Sequence, residues 1–215
     1  MSKPKVVVVD YGVGNLLSVQ RGLEYCGADV ILTSDPGVVM TAERVVLPGV
    51  GAFANAMQAL RERGLVAAIR GLADKRTPLL GICLGMQLLL DESEEFGISE
   101  GLGLISGRVV PVPTMTTSGE RQKIPHIGWN GLVSPESVAR WHGTLLQDVG
   151  PREAAYFVHS FMAEPADPMH RLADCIYGGH RISAVITRDR ITGCQFHPEK
   201  SGEVGLRMLR RFCVD

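Results

Sequence analysis

Leu79-Leu80-Gly81-Ile82-Cys83-Leu84-Gly85-Met86-Gln87 is the most informative part of the sequence, because it predicts a buried strand that turns sharply into a helix. Residues 79–83 form a short apolar run, which is typical of a strand covered on both faces of a parallel sheet. Glycines two positions before and after Cys83 allow a strained turn without a Cβ clash. The stretch therefore predicts a nucleophile elbow with Cys83 at its apex, although a cysteine that merely lies between packing glycines is the alternative.

Around this stretch, the first half of the chain alternates short apolar strands with amphipathic helices. This alternation predicts an α/β fold with a mostly parallel central sheet flanked by helices. The predicted strands are residues 6–9, 30–32, 44–47 and 79–83. The predicted helices are residues 16–25, 53–63 and 65–73, and a further helix begins at Met86 and includes residues 86–90.

The second half indicates an antiparallel portion of the sheet. Residues 111–123 are rich in Pro, Thr, Ser and Gly and predict an exposed loop. Arg188-Asp189-Arg190 lies between two strand-like runs and predicts a tight hairpin. No repeat or long linker divides the chain, so we expect one domain over residues 1–215. The remaining predicted elements are strands at residues 155–158, 184–187 and 191–196 and a closing helix at residues 204–212.

Composition excludes several classes of protein. The chain has 215 residues, 22 basic and 23 acidic side chains and a net charge of -1, which gives no reason to expect nucleic acid or a membrane as partner. No apolar run approaches the roughly 20 residues that a membrane span needs, and residues 1–5 do not resemble a signal peptide, so we expect a cytoplasmic protein. The five cysteines have no C-x-x-C spacing, which argues against a disulfide framework. Four of them are expected to be small core residues: Cys26, Cys175, Cys194 and Cys213.

A thiolate nucleophile needs a base, and His197 is the best candidate among the six histidines. His197 follows a predicted strand, and the carboxyl ends of strands are where α/β sheets place their chemistry. Pro198 stiffens the link to Glu199, which can return to the imidazole and orient it. The alternative is a surface turn with a solvated Glu199.

These two segments resemble the class I glutamine amidotransferases, whose nucleophile segment reads G-x-C-x-G-x-Q and whose C-terminal segment reads H-P-E. Both patterns stand here in order, at residues 81–87 and 197–199. The resemblance implies Cys83 as nucleophile, His197 as general acid and base and Glu199 as its orienting carboxylate. It also implies that Gln87 lies at the glutamine pocket, whereas without it Gln87 could be an ordinary first-turn helix residue.

Five further segments are similar to the glutaminase subunits of imidazole glycerol phosphate synthases, which serve histidine biosynthesis. In that family a separate (β/α)8 cyclase subunit receives the ammonia and joins it to an aminoimidazole-carboxamide ribonucleotide. The resemblance therefore implies glutamine as substrate and a cyclase as heterodimer partner. The five segments are residues 10–15, 47–53, 125–130, 156–160 and 197–201.

The resemblance and the residue types together give a wider candidate site. The glycines around Val50 would let a backbone N–H turn toward an oxyanion, with the Leu84 N–H as second donor, although a simple glycine-rich connection is the alternative. Trp129 lies in a predicted loop and is either an interface residue or a core residue. The expected glutamine-binding residues are Gly49, Gln87, His159 and Ser160. The expected partner-facing residues are Val13, Asn15, Trp129 and Lys200.

No motif suggests a cofactor or a metal. The chain lacks G-x-x-x-x-G-K-[ST], and its histidines form no metal-type cluster, which suits hydrolysis of an amide without either. Three other functions remain open. A paralogous amidotransferase subunit would feed another acceptor. A γ-glutamyl hydrolase would need no partner, but Gln87 and the absent signal peptide count against it. A catalytically dead binding subunit is disfavoured by the intact Cys83, His197 and Glu199.

Overall fold

A seven-stranded sheet runs through the part of the chain that the computed structural model describes, residues 3–135 and 141–214. Five neighbouring strands are parallel, and two antiparallel strands extend one edge, so the predicted fold class is confirmed. The strand order is β11-β12-β13-β4-β3-β1-β2. In chain order these strands are β1 (Lys5–Val9), β2 (Asp29–Thr33), β3 (Val45–Gly49), β4 (Leu79–Cys83), β11 (Arg171–Tyr177), β12 (His180–Arg188) and β13 (Ile191–Cys194).

Helices cover both faces of this sheet, and alternate residues of β1 point into two separate cores. Val6 and Val8 pack with the first core, whereas Val7 and Val9 pack with the second, as the period of two in a strand requires. The first core includes the closing helix α6, and the second includes α3 and α4. The helices are α1 (Leu16–Tyr25), α2 (Pro36–Met40), α3 (Phe53–Glu62), α4 (Leu65–Asp74), α5 (Leu84–Leu88) and α6 (Gly202–Val214).

Two smaller sheets lie beside the central one and complete the surroundings of Cys83. A four-stranded sheet has the order β10-β7-β5-β6, and β8 pairs antiparallel with β9. Short 3-10 helices occupy Pro168–His170 and Pro198–Lys200. The six strands are β5 (Glu92–Ser93), β6 (Ser99–Glu100), β7 (Gly107–Pro111), β8 (His126–Gly131), β9 (Ala154–His159) and β10 (Phe161–Pro165).

Most of the predicted elements are present, and several were placed wrongly. The helix at residues 16–25 and the strand at residues 79–83 have the predicted bounds, and the hairpin between β12 and β13 is confirmed. The helix predicted from Met86 begins at Leu84, because Cys83 alone makes the turn. The strand predicted for residues 191–196 ends at Cys194.

The loop predicted around Trp129 is wrong, because these residues form β8. Glycine and asparagine weaken the local strand signal, but β9 supplies the hydrogen bonds of a paired ladder. The short helix α2 was not predicted, and neither were five further strands: β5, β6, β7, β10 and β11. The α2 helix begins after Asp35, whose side chain accepts a 2.8 Å hydrogen bond from the Gly37 N–H.

The cysteine prediction is confirmed for three residues only. Cys175, Cys194 and Cys213 are buried, but Cys26 is half-buried, because it caps the end of α1 near the surface. Within the described residues, no helix is long and apolar enough to cross a membrane. The same residues contain no group of three or more His, Cys, Asp or Glu side chains arranged to hold a metal ion. The cytoplasmic location stays a prediction.

Candidate active site

Cys83 stands at the apex of a strained turn between β4 and α5. Its φ of 55° and ψ of -111° lie in a region that non-glycine residues rarely adopt, at a cost of roughly 1–3 kcal/mol. The flanking glycines make this turn sterically possible. A Cβ atom at Gly85 would clash with the Leu47 carbonyl oxygen, and one at Gly81 would lie 2.7 Å from the Gly85 carbonyl oxygen. The sequence thus fixes a sharp turn that presents the Cys83 thiol.

His197 and Glu199 form a buried pair. The His197 Nδ1 lies 2.8 Å from the Glu199 Oε1, and the Glu199 side chain is only 1% exposed, so the solvated surface turn is wrong. The backbone of β9 holds this segment in place. The Tyr156 carbonyl oxygen accepts a 3.0 Å hydrogen bond from the His197 N–H, and the Tyr156 N–H donates to the Ser201 Oγ at 2.9 Å. The Ser201 hydroxyl in turn donates to the His197 carbonyl oxygen at 2.7 Å.

The charge state of His197 is set by its two neighbours. Burial lowers the pKa of this imidazole, but hydrogen bonds and charge interactions with Cys83 and Glu199 outweigh burial and raise it to about 9. An imidazolium between a thiol and a carboxylate can stabilise a thiolate and later donate a proton. The structure therefore brings the three residues predicted from the sequence together in one site.

A cleft of about 340 Å³ opens beside the Cys83 thiol. Five of the six residues predicted for the oxyanion hole and the glutamine pocket line it. The exception is Gly49, which lies on β3 next to Cys83 but is enclosed by the Tyr11 hydroxyl and Leu84. The lining residues are Val50, Gly51, Cys83, Leu84, Gln87, Glu95, Pro125, Val158, His159, Ser160, Phe161 and His197. A larger cavity, of about 650 Å³, lies at the opposite end of β4 beside Leu79 and contains none of these residues.

Gln87 is buried on the first turns of α5 and is held by two hydrogen bonds. Its Nε2 donates to the Phe161 carbonyl oxygen and to the Gln195 Oε1, each at 3.0 Å. Gln195 Nε2 in turn points to the Cys83 sulfur at 3.9 Å. Sequence reasoning missed Gln195, although it lies two residues before His197 on the same chain segment.

Glu95 is a second residue that sequence reasoning missed. Its Oε2 accepts a 2.6 Å hydrogen bond from the Phe53 N–H at the start of α3, so the carboxylate is fixed at the wall of the cleft. A carboxylate in this position can pair with the cationic amino group of an amino-acid substrate. Nothing in the acidic run at residues 94–95 distinguishes it from a solvated surface segment.

The predicted partner-facing residues differ in exposure. Trp129 is 60% exposed, so the alternative of a core tryptophan is wrong. It lies on β8 opposite Tyr156, with ring centroids 6.0 Å apart. Asn15 and Lys200 are exposed, whereas Val13 is half-buried and packs against the second core. Trp129 is therefore connected to the cleft through β9, whose last residues line it.

Comparisons with known proteins agree with this architecture. The profile of the family described as "Glutamine amidotransferase class-I" matches residues 7–215. A solved structure titled "Crystal structure of glutamine amidotransferase" superposes with a TM-score of 0.71 at 16% identity and covers 96% of each chain. The PurLQS structure from Thermotoga maritima has a TM-score of 0.72 at 20% identity and covers 99% of this chain and 98% of its own. The chain therefore belongs to the class I glutamine amidotransferase family.

Relatives of higher sequence identity indicate which subgroup of this family the chain resembles. The imidazole glycerol phosphate synthase subunit HisH 1 of Legionella pneumophila (strain Lens) is 53% identical over 207 residues, which cover 96% of this chain and 97% of the relative. The HisH subunit of Geobacter sulfurreducens is 45% identical over 209 residues and covers 97% of each chain. Within the class, this chain groups with the imidazole glycerol phosphate synthase subunits called HisH.

Proposed function

We propose that this chain is the glutaminase subunit of an imidazole glycerol phosphate synthase, which hydrolyses glutamine and passes the ammonia to a separate cyclase subunit. The observation that carries the proposal is the buried Cys83, His197 and Glu199 arrangement at the mouth of a cleft sized for an amino acid. The near full-length similarity to HisH subunits supports the choice of acceptor pathway.

Cys83 would act as the nucleophile and His197 as acid and base. The thiolate attacks the side-chain amide carbon of glutamine, and the C–N bond breaks as His197 donates a proton to the leaving ammonia. His197 then accepts a proton from water, which attacks the γ-glutamyl thioester and releases glutamate and the thiol. Glu199 holds the imidazole through its Nδ1 throughout, because that bond leaves Nε2 available for proton transfer.

Two backbone N–H groups would stabilise the tetrahedral intermediate. Leu84 is the first residue of α5, and the first N–H groups of a helix have no partner within that helix. Val50 lies in the wall of the cleft and is 40% exposed, between Gly49 and the positive-φ Gly51. Removing one such donor typically costs roughly 10²–10³-fold in turnover.

The substrate would lie in the cleft with its amino-acid end away from the thiol. Glu95 supplies a carboxylate for the α-amino group, and Gln87, His159 and Ser160 complete the walls. Both ring nitrogens of His159 are already hydrogen-bonded, to His126 and to the Phe161 carbonyl oxygen. His159 would therefore shape the pocket rather than act as a second base.

The cyclase would cover the rim of this cleft. The candidate contact residues are Trp129, Lys200, Asn15 and Val13, of which the first three are exposed and Val13 is half-buried. Trp129 and its neighbour Ile127, which is also exposed, form an apolar patch on β8. Aromatic residues in such patches are favoured anchors of protein interfaces.

Product formation by the assembled enzyme tests this function. The chain is purified with the cyclase and supplied with the ribonucleotide acceptor and either glutamine or an ammonium salt. We expect imidazole glycerol phosphate from both nitrogen sources, and from the ammonium salt alone when Cys83 is replaced by alanine. A complex that forms no imidazole glycerol phosphate from glutamine, while still releasing glutamate, would favour a paralogous acceptor pathway.

A further inference from the structure

A continuous chain of hydrogen bonds runs from β8 to the wall of the glutamine cleft. The Asn130 Nδ2 lies 2.9 Å from the Ile176 carbonyl oxygen and 3.3 Å from the His126 Nε2. The His126 Nδ1 lies 2.9 Å from the His159 Nε2, and the His159 Nδ1 lies 2.8 Å from the Phe161 carbonyl oxygen. The chain therefore joins two backbone carbonyl groups through three side chains.

The direction of every bond in this chain follows from its two ends. A carbonyl oxygen only accepts, so the His159 Nδ1 must carry the proton that it shares with Phe161. The neutral ring then has an acceptor at Nε2, which requires the proton of His126 to lie on Nδ1. The His126 Nε2 is consequently an acceptor, and the Asn130 amide donates to it. All of these bonds are satisfied only when each ring is neutral and carries its proton on Nδ1.

The surroundings of His126 hold its ring in this orientation. The ring is buried and lies between two aromatic rings, with centroid distances of 4.9 Å to Phe157 and 4.1 Å to Tyr177. Burial lowers the pKa of His126 to about 4. Burial also lowers the pKa of His159, to about 3, because it outweighs the opposing effect of the hydrogen bond to the Phe161 carbonyl oxygen. Both imidazoles are therefore neutral near pH 7, as the bond directions demand.

The chain ends at the group that also holds Gln87. The Phe161 carbonyl oxygen accepts from the Gln87 Nε2 at 3.0 Å, and Gln87 and Phe161 both line the cleft. His126 itself lines no part of the cleft, although its chain neighbour Pro125 does, so the His126 imidazole reaches the cleft through its hydrogen bond to His159. Hydrogen bonds therefore connect the Phe161 carbonyl group in the cleft wall to α5 through Gln87 and to β8 through His159.

We propose that His126 is a positioning residue for glutamine binding: through His159 it fixes the Phe161 carbonyl group and, with it, the Gln87 side chain. The inference rests on the proposed glutaminase function and adds a residue to it that does not touch the substrate. Because His126 orders the pocket but takes no part in bond breaking, its loss weakens glutamine binding more than it slows turnover.

Steady-state kinetics of the complex with the cyclase test this role, with L-glutamine as the varied substrate. His126→Leu removes the donor and keeps an apolar side chain between Phe157 and Tyr177. We expect the KM for glutamine to rise roughly tenfold, the effect of losing one hydrogen bond between buried groups. The kcat should stay within about twofold of the value for the unsubstituted complex. His126→Asn places an amide N–H near the position of Nδ1, and we expect it to return the KM to within about threefold of the unsubstituted complex.

The matched control is His180→Leu. His180 Nε2 donates to the Met115 carbonyl oxygen at 2.8 Å, outside the cleft, so the loss of that bond should leave both kinetic constants unchanged. A KM for His126→Leu within twofold of the unsubstituted value overturns the proposal. Equal losses in His126→Leu and His126→Asn also overturn it, because they would show that ring packing, not the donor, matters.

A spectroscopic readout keeps the proposal testable if His126→Leu does not fold. Nitrogen-15 shifts of the imidazoles in the unsubstituted protein at neutral pH should show His126 and His159 as neutral rings protonated on Nδ1. An Nε2-protonated ring or an imidazolium at either position contradicts the bond directions. An unsubstituted complex that releases no glutamate contradicts the proposed function itself, whereas an active complex that is indifferent to His126→Leu contradicts only this inference.

Discussion

The buried Tyr11 hydroxyl donates a 2.8 Å hydrogen bond to the Pro48 carbonyl oxygen, one peptide before the one that carries the Val50 N–H. A Cβ atom at Gly49 would lie 2.5 Å from the Tyr11 hydroxyl oxygen, so the hydroxyl also packs against the next residue. Burial, with a smaller effect of Cys83, raises the pKa of Tyr11, which keeps the hydroxyl a donor. Tyr11 thus anchors the chain immediately before the proposed oxyanion donor.

Tyr11→Phe should therefore lower kcat for glutamine hydrolysis in the cyclase complex. In this variant the Pro48 carbonyl oxygen loses its hydrogen bond, so the Val50 N–H is held less firmly. We expect kcat to fall roughly tenfold, which corresponds to the free energy of about one hydrogen bond. The KM for glutamine should stay within about twofold, because Tyr11 does not line the cleft. Tyr25→Phe is the control, since Tyr25 is 70% exposed on α1 and lines no part of the cleft. Equal kcat values for the unsubstituted and Tyr11→Phe complexes would show that Tyr11 does not position the oxyanion donor.

A glutamine analogue that carries an electrophile should label Cys83 alone. Burial raises the pKa of all four other thiols, to about 12 for Cys175 and about 11 for Cys213, so they are poor nucleophiles near neutral pH. Peptide mass mapping after incubation with the analogue gives the position of the label. Cys83→Ser should abolish labelling, and a label on any other cysteine would contradict the assignment of the nucleophile.

Glu199→Gln should lower the pKa of His197 from its value of about 9. Burial already lowers this pKa, and the variant removes the carboxylate charge that helps to offset burial, so we expect a fall of roughly one unit. Titration of the imidazole by NMR measures this pKa directly.

Turnover should fall less in Glu199→Gln than in His197→Ala, for which general acid–base catalysis predicts a loss of at least roughly 10²–10⁴-fold. A folded His197→Ala protein with near-normal turnover would show that another group moves the proton.

Gly85→Ala should disrupt the turn that presents Cys83. The added Cβ would overlap the Leu47 carbonyl oxygen of β3, which is backbone and cannot move aside cheaply. We expect roughly 1–3 kcal/mol of destabilisation in urea unfolding together with loss of glutaminase activity. Gly71→Ala is the matched control in α4, because a Cβ there meets nothing within 4 Å. It should leave activity unchanged and gain roughly 0.5–1 kcal/mol from helix propensity. A stable, active Gly85→Ala protein would contradict the steric argument.

Local patterns were enough to predict the elbow and every strand of the central sheet except the edge strand β11, because their causes are local. The apolar run of β4 and the two glycines around Cys83 determine that turn, and the Pro198 link predicts the return of Glu199 to His197. The strand β8 could not be predicted, since its hydrogen bonds come from β9, whose Tyr156 lies 27 positions after its partner Trp129.

The contributions of Glu95, Gln195 and His126 to the site were hidden for a related reason. Each depends on a partner distant in the sequence, such as the Phe53 N–H for Glu95 and the Gln87 amide for Gln195. No spacing of residue types along the chain shows such contacts. Sequence patterns therefore predicted the proposed catalytic groups better than the groups that hold them in place.

Glutamate release under three conditions tests whether this glutaminase depends on a partner. The rate is measured for the chain alone, with the cyclase, and with the cyclase and its nucleotide ligand. We expect a low rate for the chain alone and an increase of roughly 10²–10³-fold in the liganded complex, the worth of one oxyanion donor that the partner turns into place. Equal rates in all three conditions would contradict this dependence on a partner and favour a free-standing hydrolase.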